Sequence, residues 1–420
     1  MTPPKQPLMV VCWVAALNLA ALVPSSQVSR AFPCISPRIS ALFASLDSQP
    51  VEAPKQPPLP PPSRGLAVLG LVPVAWGTYG PAIKTLYALD SPPPELLFAV
   101  LNYVISAAAL TVVSSILSQS PSPQNAGTSD TIQPVDGPQA ASAPDGFASV
   151  LGLSPPVALA GIELAAYLFV GTTLGLFGLQ RTTSGRAAFI VQLTTVIVPL
   201  LEAALARTAP SRKTLGLCAS AFAGVALMVT AGGDSGQAAP TLVGDGLMAL
   251  SAVAYSLQVV RLGYHAPRHA PIELARAKEA FRLLYAIATL GVGLAFAPAQ
   301  AASLAAFLSS FVAAPDQAAL ALALVAWSGV VTTAFATWGQ TYGQSAVSAP
   351  TASIIYASQP IWSSAFGYAV LGETFGPQAA AGACIVLAAV GAAAVGAAAV
   401  PTARQVGKDS GGSGLGSEKM

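Results

Sequence analysis

Ionisable and aromatic side chains inside long apolar runs are the first candidates for chemistry in this sequence. Glu163 and Tyr167 lie one helical turn apart near the start of one run, and Trp76 and Lys84 share a helical face in another. A charged group at membrane depth is costly, so it predicts a function or a partner. Glu163 is either a carboxylate that binds a substrate amine or a coupling proton, or an acid near the interface satisfied by a neighbouring Arg or Tyr. Lys84 either meets an anionic substrate or extends to the membrane interface.

Uncharged polar side chains recur along the same apolar runs, two of which contain a proline, Pro199 and Pro360. Hydrogen bonds between helices would explain any one of these polar residues, at about 0.6 kcal/mol each. Together they predict a polar pathway, and the two prolines would free backbone carbonyls beside it. The candidate substrate-binding residues are Trp76, Tyr79, Lys84, Glu163, Tyr167, Gln192, Tyr255, Gln258, Thr333, Trp338, Tyr356 and Gln359.

The sequence lacks the patterns of metal, nucleotide and catalytic sites. Its only histidines, His265 and His269, lie in a charged segment, and there is no GxxxxGK[ST], HExxH or DDxxD motif. The net charge of +2 gives no electrostatic reason for a nucleic-acid partner. We therefore expect no metal, no cofactor, no enzymatic activity and no direct use of ATP. The cysteines are far apart and form no CxxC pair: Cys12, Cys34, Cys218 and Cys384.

The composition shows which elements must position the candidate residues. Only 9% of the 420 residues are charged, against about a quarter in ordinary soluble domains. Hydrophobic residues make up 54%, and the mean hydropathy is +0.64. These values predict an all-α polytopic membrane protein whose main partner is the lipid bilayer.

Ten apolar runs are each long enough to cross a hydrocarbon core of about 30 Å as a helix. Twelve Lys and Arg residues fall on the side of both predicted termini, whereas Lys84, Arg181 and Arg186 fall on the other. This bias predicts that both termini face the cytosol, or the stroma of a plastid. The predicted spans, numbered 1 to 10, are 66–88, 95–117, 156–179, 183–206, 212–231, 244–264, 278–298, 318–341, 346–370 and 377–399.

The segments outside the spans suggest targeting and linking roles. Residues 1–31 have the basic start, apolar core and small-residue cleavage site of a signal peptide. Residues 32–64 form a transit-like segment and a Pro-rich linker. The Ala31-Phe32-Pro33 junction resembles the bipartite plastid presequence of algae with secondary plastids. It predicts the plastid inner envelope, and the secretory pathway or plasma membrane is the alternative.

Three further segments interrupt or follow the apolar runs. Residues 118–154 form a loop without Lys or Arg, and residues 299–317 could form a short interfacial helix. The Gly/Ser/Lys-rich tail 401–420 is expected to be disordered.

The chain also repeats itself. Val170 to Gly178 aligns with Val331 to Gly339 at an offset of 161, and the same offset carries Pro199 onto Pro360. The repeats cover 65–231 and 244–400. Because each holds five predicted spans, an odd number, the second must enter the membrane from the opposite side. Two inverted five-helix repeats are typical of transporters that alternate access to a central site.

Motifs in these repeats resemble the drug/metabolite transporter superfamily, EamA branch. Trp76-Gly77 followed by Lys84 is similar to the opening of that family, and Gly244-Asp245 to its sixth helix. Tyr356 to Pro360 with Leu371-Gly372-Glu373 is similar to the end of its ninth helix, and Gly382 with Gly391 to its tenth. The resemblance covers roughly 65–400. The sequence departs from the family at Asn102-Tyr103, where an Arg-aromatic pair is usual, and at the end of span 4, which lacks the Gly-Glu pair.

The resemblance implies a permease or exporter that moves a small metabolite by alternating access. A plastid sugar-phosphate or organic-anion antiporter is the alternative within transport, and it would require intramembrane Lys or Arg for its substrate. A membrane scaffold or receptor is the alternative of another class. The Ala/Gly-rich span 10 could pack against its repeat mate or against a second copy, and the second arrangement would produce a homodimer.

Overall fold

The computed structural model describes residues 59–119, 152–179, 181–182, 184–231, 242–296, 298–372 and 376–398. Every regular element in this part of the chain is a helix. The predicted signal peptide, most of the transit-like segment and the disordered tail lie outside the described residues.

The first half of the chain contains seven α-helices: α1 (Pro62–Gly77), α2 (Tyr79–Tyr87), α3 (Glu95–Gln119), α4 (Pro155–Leu179), α5 (Ser184–Val191), α6 (Thr194–Ala206) and α7 (Arg212–Ala231). The second half contains α8 (Leu242–His265), α9 (Pro271–Phe296), α10 (Pro298–Ala313), α11 (Pro315–Trp327), α12 (Ala336–Gln344), α13 (Ala349–Tyr356), α14 (Gln359–Leu371) and α15 (Pro377–Ala398). A π-helical segment, Ser328–Phe335, joins α11 to α12, and a 3₁₀ turn, Ala266–Arg268, follows α8.

Eight helical stretches of the described residues are long and apolar enough to cross a membrane. They correspond to predicted spans 1 to 6, 8 and 10, so the prediction of an all-α polytopic membrane protein is confirmed. Their bounds are Pro62–Tyr87, Glu95–Leu117, Pro155–Gly178, Phe189–Ala206, Arg212–Thr230, Leu242–Arg268, Pro315–Gln344 and Pro377–Ala398.

Predicted spans 7 and 9 are not among these eight, for two different reasons. Span 7 lies on α9, which has 26 residues but carries five charged side chains in its first half: Glu273, Arg276, Lys278, Glu279 and Arg282. Span 9 is divided into α13 and α14, which have 8 and 13 residues. The count of ten spans therefore stays a prediction. The short helix expected at 299–317 is present as α10.

Contacts divide the chain into two compact units, and each takes segments from both predicted repeats. Unit 1 contains the described parts of Met1–Pro81, Glu163–Ala270 and Gly339–Met420, and unit 2 contains those of Ala82–Ile162 and Pro271–Trp338.

Glycines allow the helices of unit 1 to approach closely. A Cβ atom on Gly224 of α7 would lie 2.8 Å from the carbonyl oxygen of Gly382 on α15, and one on Gly382 would lie 2.5 Å from that of Gly224. Gly171 and Gly175 of α4 pack against Tyr255 and Ser251 of α8. Without these glycines the backbones could not approach so closely, which is how small residues let apolar helices associate in lipid.

Unit 2 is built on α3, which packs against α9 and against the π-helical segment. Its apolar core includes Leu86, Phe98 and Val325, with Phe307 of α10 packed against them. The side chain of Ile105 on α3 packs directly against Gly329 in the π-helical segment. This packing fixes the polar side chains of α3, α9 and the eighth span relative to one another.

Candidate substrate site

Two of the interrupted helices, those of spans 4 and 9, mark the strongest candidate site, and both lie in unit 1. The helix of span 4 breaks at Gln192 and Leu193, between α5 and α6, and that of span 9 breaks at Ala357 and Ser358, between α13 and α14. Gln192 and Ser358 are 166 positions apart, close to the repeat offset of 161. Interrupted helices at corresponding positions of two repeats indicate a transporter's binding site, because they present helix ends and free backbone groups inside the membrane.

The two breaks have different local causes. Pro360 is the second residue of α14, and its ring would clash with the carbonyl of Tyr356, where α13 ends. The sequence predicts one span over 346–370 with freed carbonyls near Pro360, and the structure divides that span just before this proline. Pro199 lies inside α6, which continues through it, and the break is about two turns upstream, where the amides of Gln192 and Leu193 bond to carbonyls three residues back.

The C-terminal ends of these two helices also correspond. The C-cap of α6 is Arg207 and that of α14 is Gly372, 165 positions apart, and both residues adopt the left-handed conformation, with φ of 53° and 68°. Glycine adopts this conformation readily, whereas a side chain such as that of Arg207 is strained in it. The end of span 4 therefore has the same cap geometry without the glycine.

An aromatic pair lies at the break in span 9. The rings of Trp76, at the end of α1, and Tyr356, the last residue of α13, make an edge-to-face contact with centroids 5.2 Å apart. Gly77 rests directly on Trp362, since an added Cβ would lie 2.5 Å from the Trp362 Cβ. At the break in span 9, the buried Tyr356 therefore contacts Trp76 of span 1.

Among the described residues of α6 and α8, two buried polar side-chain atoms lack a hydrogen-bond partner. They are the hydroxyl of Thr195, in the first turn of α6, and Nε2 of Gln258 on α8, and both side chains are at most 2% exposed. α6 and α13 each pack against α8. Leaving a buried polar group unsatisfied costs about 1–3 kcal/mol, so such atoms require an explanation.

The other candidate residues near the breaks are partly accessible. Gln192 and Gln359, which border the two interruptions, are half-buried, and Tyr79 on α2 is exposed. Tyr255 packs against Gly171. Nine of the twelve predicted site residues belong to unit 1, and Trp76, Gln192, Tyr356 and Gln359 lie directly at the two breaks.

Glu163 and Tyr167 lie in a separate cluster of unit 1. The Glu163 carboxylate accepts hydrogen bonds from Arg261 Nε and from Arg261 Nη2, the latter at 2.9 Å, and lies 2.8 Å from Nε2 of His265. The Tyr167 hydroxyl donates to it at 3.3 Å. Glu163 is therefore paired with a neighbouring Arg and Tyr, as the second interpretation of this residue expected. Among the described residues, Glu202 of α6 makes no comparable ion pair.

The remaining three candidates lie in unit 2. Lys84 is exposed in the last turn of α2. Thr333, in the π-helical segment, accepts a hydrogen bond of 2.9 Å from Nδ2 of Asn102 on α3. Trp338 packs beside Phe335, with ring centroids 6.0 Å apart. A π-helical segment frequently marks a functional site, because it shifts the register of the side chains that follow it.

Unit 2 also contains a buried charged cluster that the sequence analysis assigned to the cytosolic side. Glu279 is fully buried and accepts hydrogen bonds from Nη1 of Arg282 at 2.9 Å and from the hydroxyl of Thr337 at 2.6 Å. Arg282 also donates to the Tyr103 hydroxyl at 2.8 Å and lies over its ring. The sequence contains a signal for this pair, because Glu279 and Arg282 are three residues apart and therefore lie on one helical face.

Comparisons with known proteins agree with this architecture. The EamA-like transporter family matches residues 244–394. A protein of known crystal structure matches at a TM-score of 0.58 and 16% identity, over 80% of this chain and 98% of that chain, a likeness that concerns the fold alone. No curated protein matches.

The fold and the family match together define the class as a polytopic membrane transporter. The match to the EamA-like transporter family covers residues 244–394, which include the broken span 9. The resemblance drawn from the sequence motifs is thereby confirmed.

Proposed function

We propose that this protein is a carrier that moves a small metabolite across the membrane by alternating access, without direct use of ATP. The observation that carries the proposal is the pair of interrupted helices, span 4 and span 9, at corresponding positions of the two repeats. In such carriers the repeats move against one another around a site built from broken helices.

The side chains at the breaks suggest the chemistry of the substrate. Trp76 and Tyr356 offer aromatic surface, and Thr195, Gln258 and Gln359 offer hydrogen-bonding groups. All five are uncharged. They suit a neutral or zwitterionic metabolite with an apolar portion, because a net charge would find no counter-charge among them.

Uptake into proteoliposomes tests the function directly. The panel contains amino acids, nucleobases, organic acids and sugar phosphates, each measured as exchange with substrate on both sides. We expect exchange of a neutral or zwitterionic member. Failure of every member with folded protein would favour a scaffold or receptor instead.

A second candidate function, an organic-anion or sugar-phosphate antiporter, is favoured by one observation. Lys278 and Arg282 are buried cations of the kind that such an antiporter requires. Exchange confined to the organic acids and sugar phosphates would support it.

For localisation we propose the plastid inner envelope, on the strength of the Ala31-Phe32-Pro33 junction alone. A homodimer remains an expectation from the composition of α15.

A further inference from the structure

Lys278 of α9 is a buried lysine that the proposed substrate site does not use. Its side chain is fully buried, and Nζ has no hydrogen-bond partner among the residues that the structure describes. Buried polar groups in native proteins are almost always hydrogen-bonded, and an ionisable residue inside a membrane protein is a functional candidate by default.

The neighbouring carboxylate does not neutralise Lys278. Glu279 binds Arg282 through two contacts of 2.9 and 3.2 Å and also accepts the Thr337 hydroxyl. Among the described residues no carboxylate lies within ion-pair distance of Lys278. The charges of Glu279 and Arg282 cancel, so an ammonium on Lys278 would leave the cluster with a net charge of +1.

Within this cluster, Lys278 is the charged side chain to which the described residues give neither a hydrogen bond nor an ion pair. On α9 itself the charged neighbours are Glu279 and Arg282. The packed helices contribute the Tyr103 hydroxyl from α3 and the Thr337 hydroxyl from the eighth span, and both are already bonded within the cluster. An arginine keeps its proton in proteins, whereas a buried lysine amine can release one.

A buried, uncompensated ammonium costs several kcal/mol, and this cost disappears when the amine loses its proton or gains access to water. A carrier that alternates between two access states can provide both conditions in turn. The sequence suggested Glu163 as the residue that binds a coupling proton. In the structure, the Glu163 carboxylate is paired with Arg261 and His265.

We propose that Lys278 is the residue that binds and releases a coupling proton during the transport cycle. The proposal rests on the carrier function proposed above. It assigns Lys278 to energy coupling and leaves substrate recognition to the broken helices.

The test uses the full chain in proteoliposomes and the panel member that the wild type exchanges. Two quantities are measured for each variant: exchange at equal pH, and accumulation driven by an imposed gradient of about one pH unit. One proton per substrate supports up to about tenfold accumulation at that gradient. The variants are Lys278→Met and Lys278→Gln, and the matched control is Lys213→Met, which removes an exposed lysine at the start of α7.

We expect both Lys278 variants to exchange substrate within about twofold of the wild type, per folded molecule, while their accumulation ratio falls to about 1. Lys213→Met should retain wild-type accumulation. Two neutral side chains of different polarity are used so that a folding defect in one does not decide the result.

Three outcomes would overturn the proposal. The Lys278 variants could accumulate substrate as the wild type does. They could lose exchange together with accumulation, which would make Lys278 a substrate ligand and support the organic-anion function. The wild type could exchange substrate and ignore the pH gradient, in which case the carrier function stands and proton coupling fails. Absence of any exchange by the wild type would refute the carrier function itself, and this proposal with it.

Discussion

Neutralising Glu163 should weaken the protein without impairing its transport. The Glu163, Arg261 and His265 side chains are 20%, 32% and 13% exposed, so their contacts are partly screened by solvent. Hydrogen bonds to charged groups contribute about 1.5–3 kcal/mol each when buried, and exposed pairs contribute about 1 kcal/mol or less. The amide of Glu163→Gln keeps one acceptor for Arg261. We therefore expect a loss of about 2 kcal/mol in the free energy of unfolding.

The loss is measurable as a fall in the melting temperature of purified protein in detergent. At roughly 2 °C per kcal/mol for a chain of this size, Glu163→Gln should lower Tm by about 4 °C. Glu202→Gln is the matched control, because Glu202 is a half-buried glutamate without an ion pair, and it should leave Tm nearly unchanged.

A double-mutant cycle isolates the ion pair from other effects of the substitution. Adding Arg261→Gln to Glu163→Gln should cost less than the sum of the two single changes, with a coupling energy of about 1–2 kcal/mol. Exchange per folded molecule should equal that of the wild type. Additive losses of stability, or loss of exchange with Tm intact, would refute a structural role and return Glu163 to the substrate pathway.

The remaining predictions concern packing, topology and targeting. Gly224→Leu should destabilise the protein by about 1–3 kcal/mol, read as a lower Tm, because its side chain would meet the Gly382 backbone; Gly216→Leu, in open space, should be neutral. Single cysteines placed in the 118–154 loop and after residue 401 should be labelled by an impermeant thiol reagent from the same side, and labelling from opposite sides would contradict the predicted orientation. Residues 1–50 should carry a fluorescent protein to the plastid, and Phe32→Ala should hold it in the secretory pathway; import of the variant would remove the argument from the junction.

The helical architecture was predictable because its cause is local. Hydropathy alone determines which runs of about 20 residues can cross a membrane, and eight of the predicted spans recur as long apolar helices. Span 9 is a case in which hydropathy alone does not predict the helix boundaries. Its composition is apolar throughout, but Pro360 removes one amide and crowds the carbonyl of Tyr356, so the run becomes two short helices.

The exact position of the break in span 4 could not be read from its proline. The helix accommodates Pro199, and the interruption at Gln192 and Leu193 depends on how α5 and α6 pack against α8. A proline indicates which helix can break, and tertiary packing decides where it does. The two helices that carry Pro199 and Pro360 are both interrupted in the structure.

Side-chain contacts between residues that are distant in the chain could not be predicted from local sequence patterns. Glu163 and Arg261 are 98 residues apart, and nothing in either local pattern links them. Basic residues of α9 were counted as cytosolic because charged side chains usually remain in water. Lys278 is instead fully buried, since the first half of α9 is enclosed by protein. Hydropathy reports the average environment of a segment and cannot distinguish lipid from a polar protein interior.

The central claim, that the substrate binds at the broken helices, is tested most directly by Thr195→Val. This substitution removes a buried hydroxyl that has no partner among the described residues, at nearly constant volume, so Tm should be unchanged or slightly raised. Losing a hydrogen bond to substrate of about 1–1.5 kcal/mol should raise the KM for exchange roughly five- to tenfold. Ser353→Ala is the control, because the Ser353 hydroxyl already donates to the carbonyl of Pro350 at 2.8 Å, and its KM should stay at the wild-type value. An unchanged KM in Thr195→Val, with exchange intact, would contradict the assignment of the site.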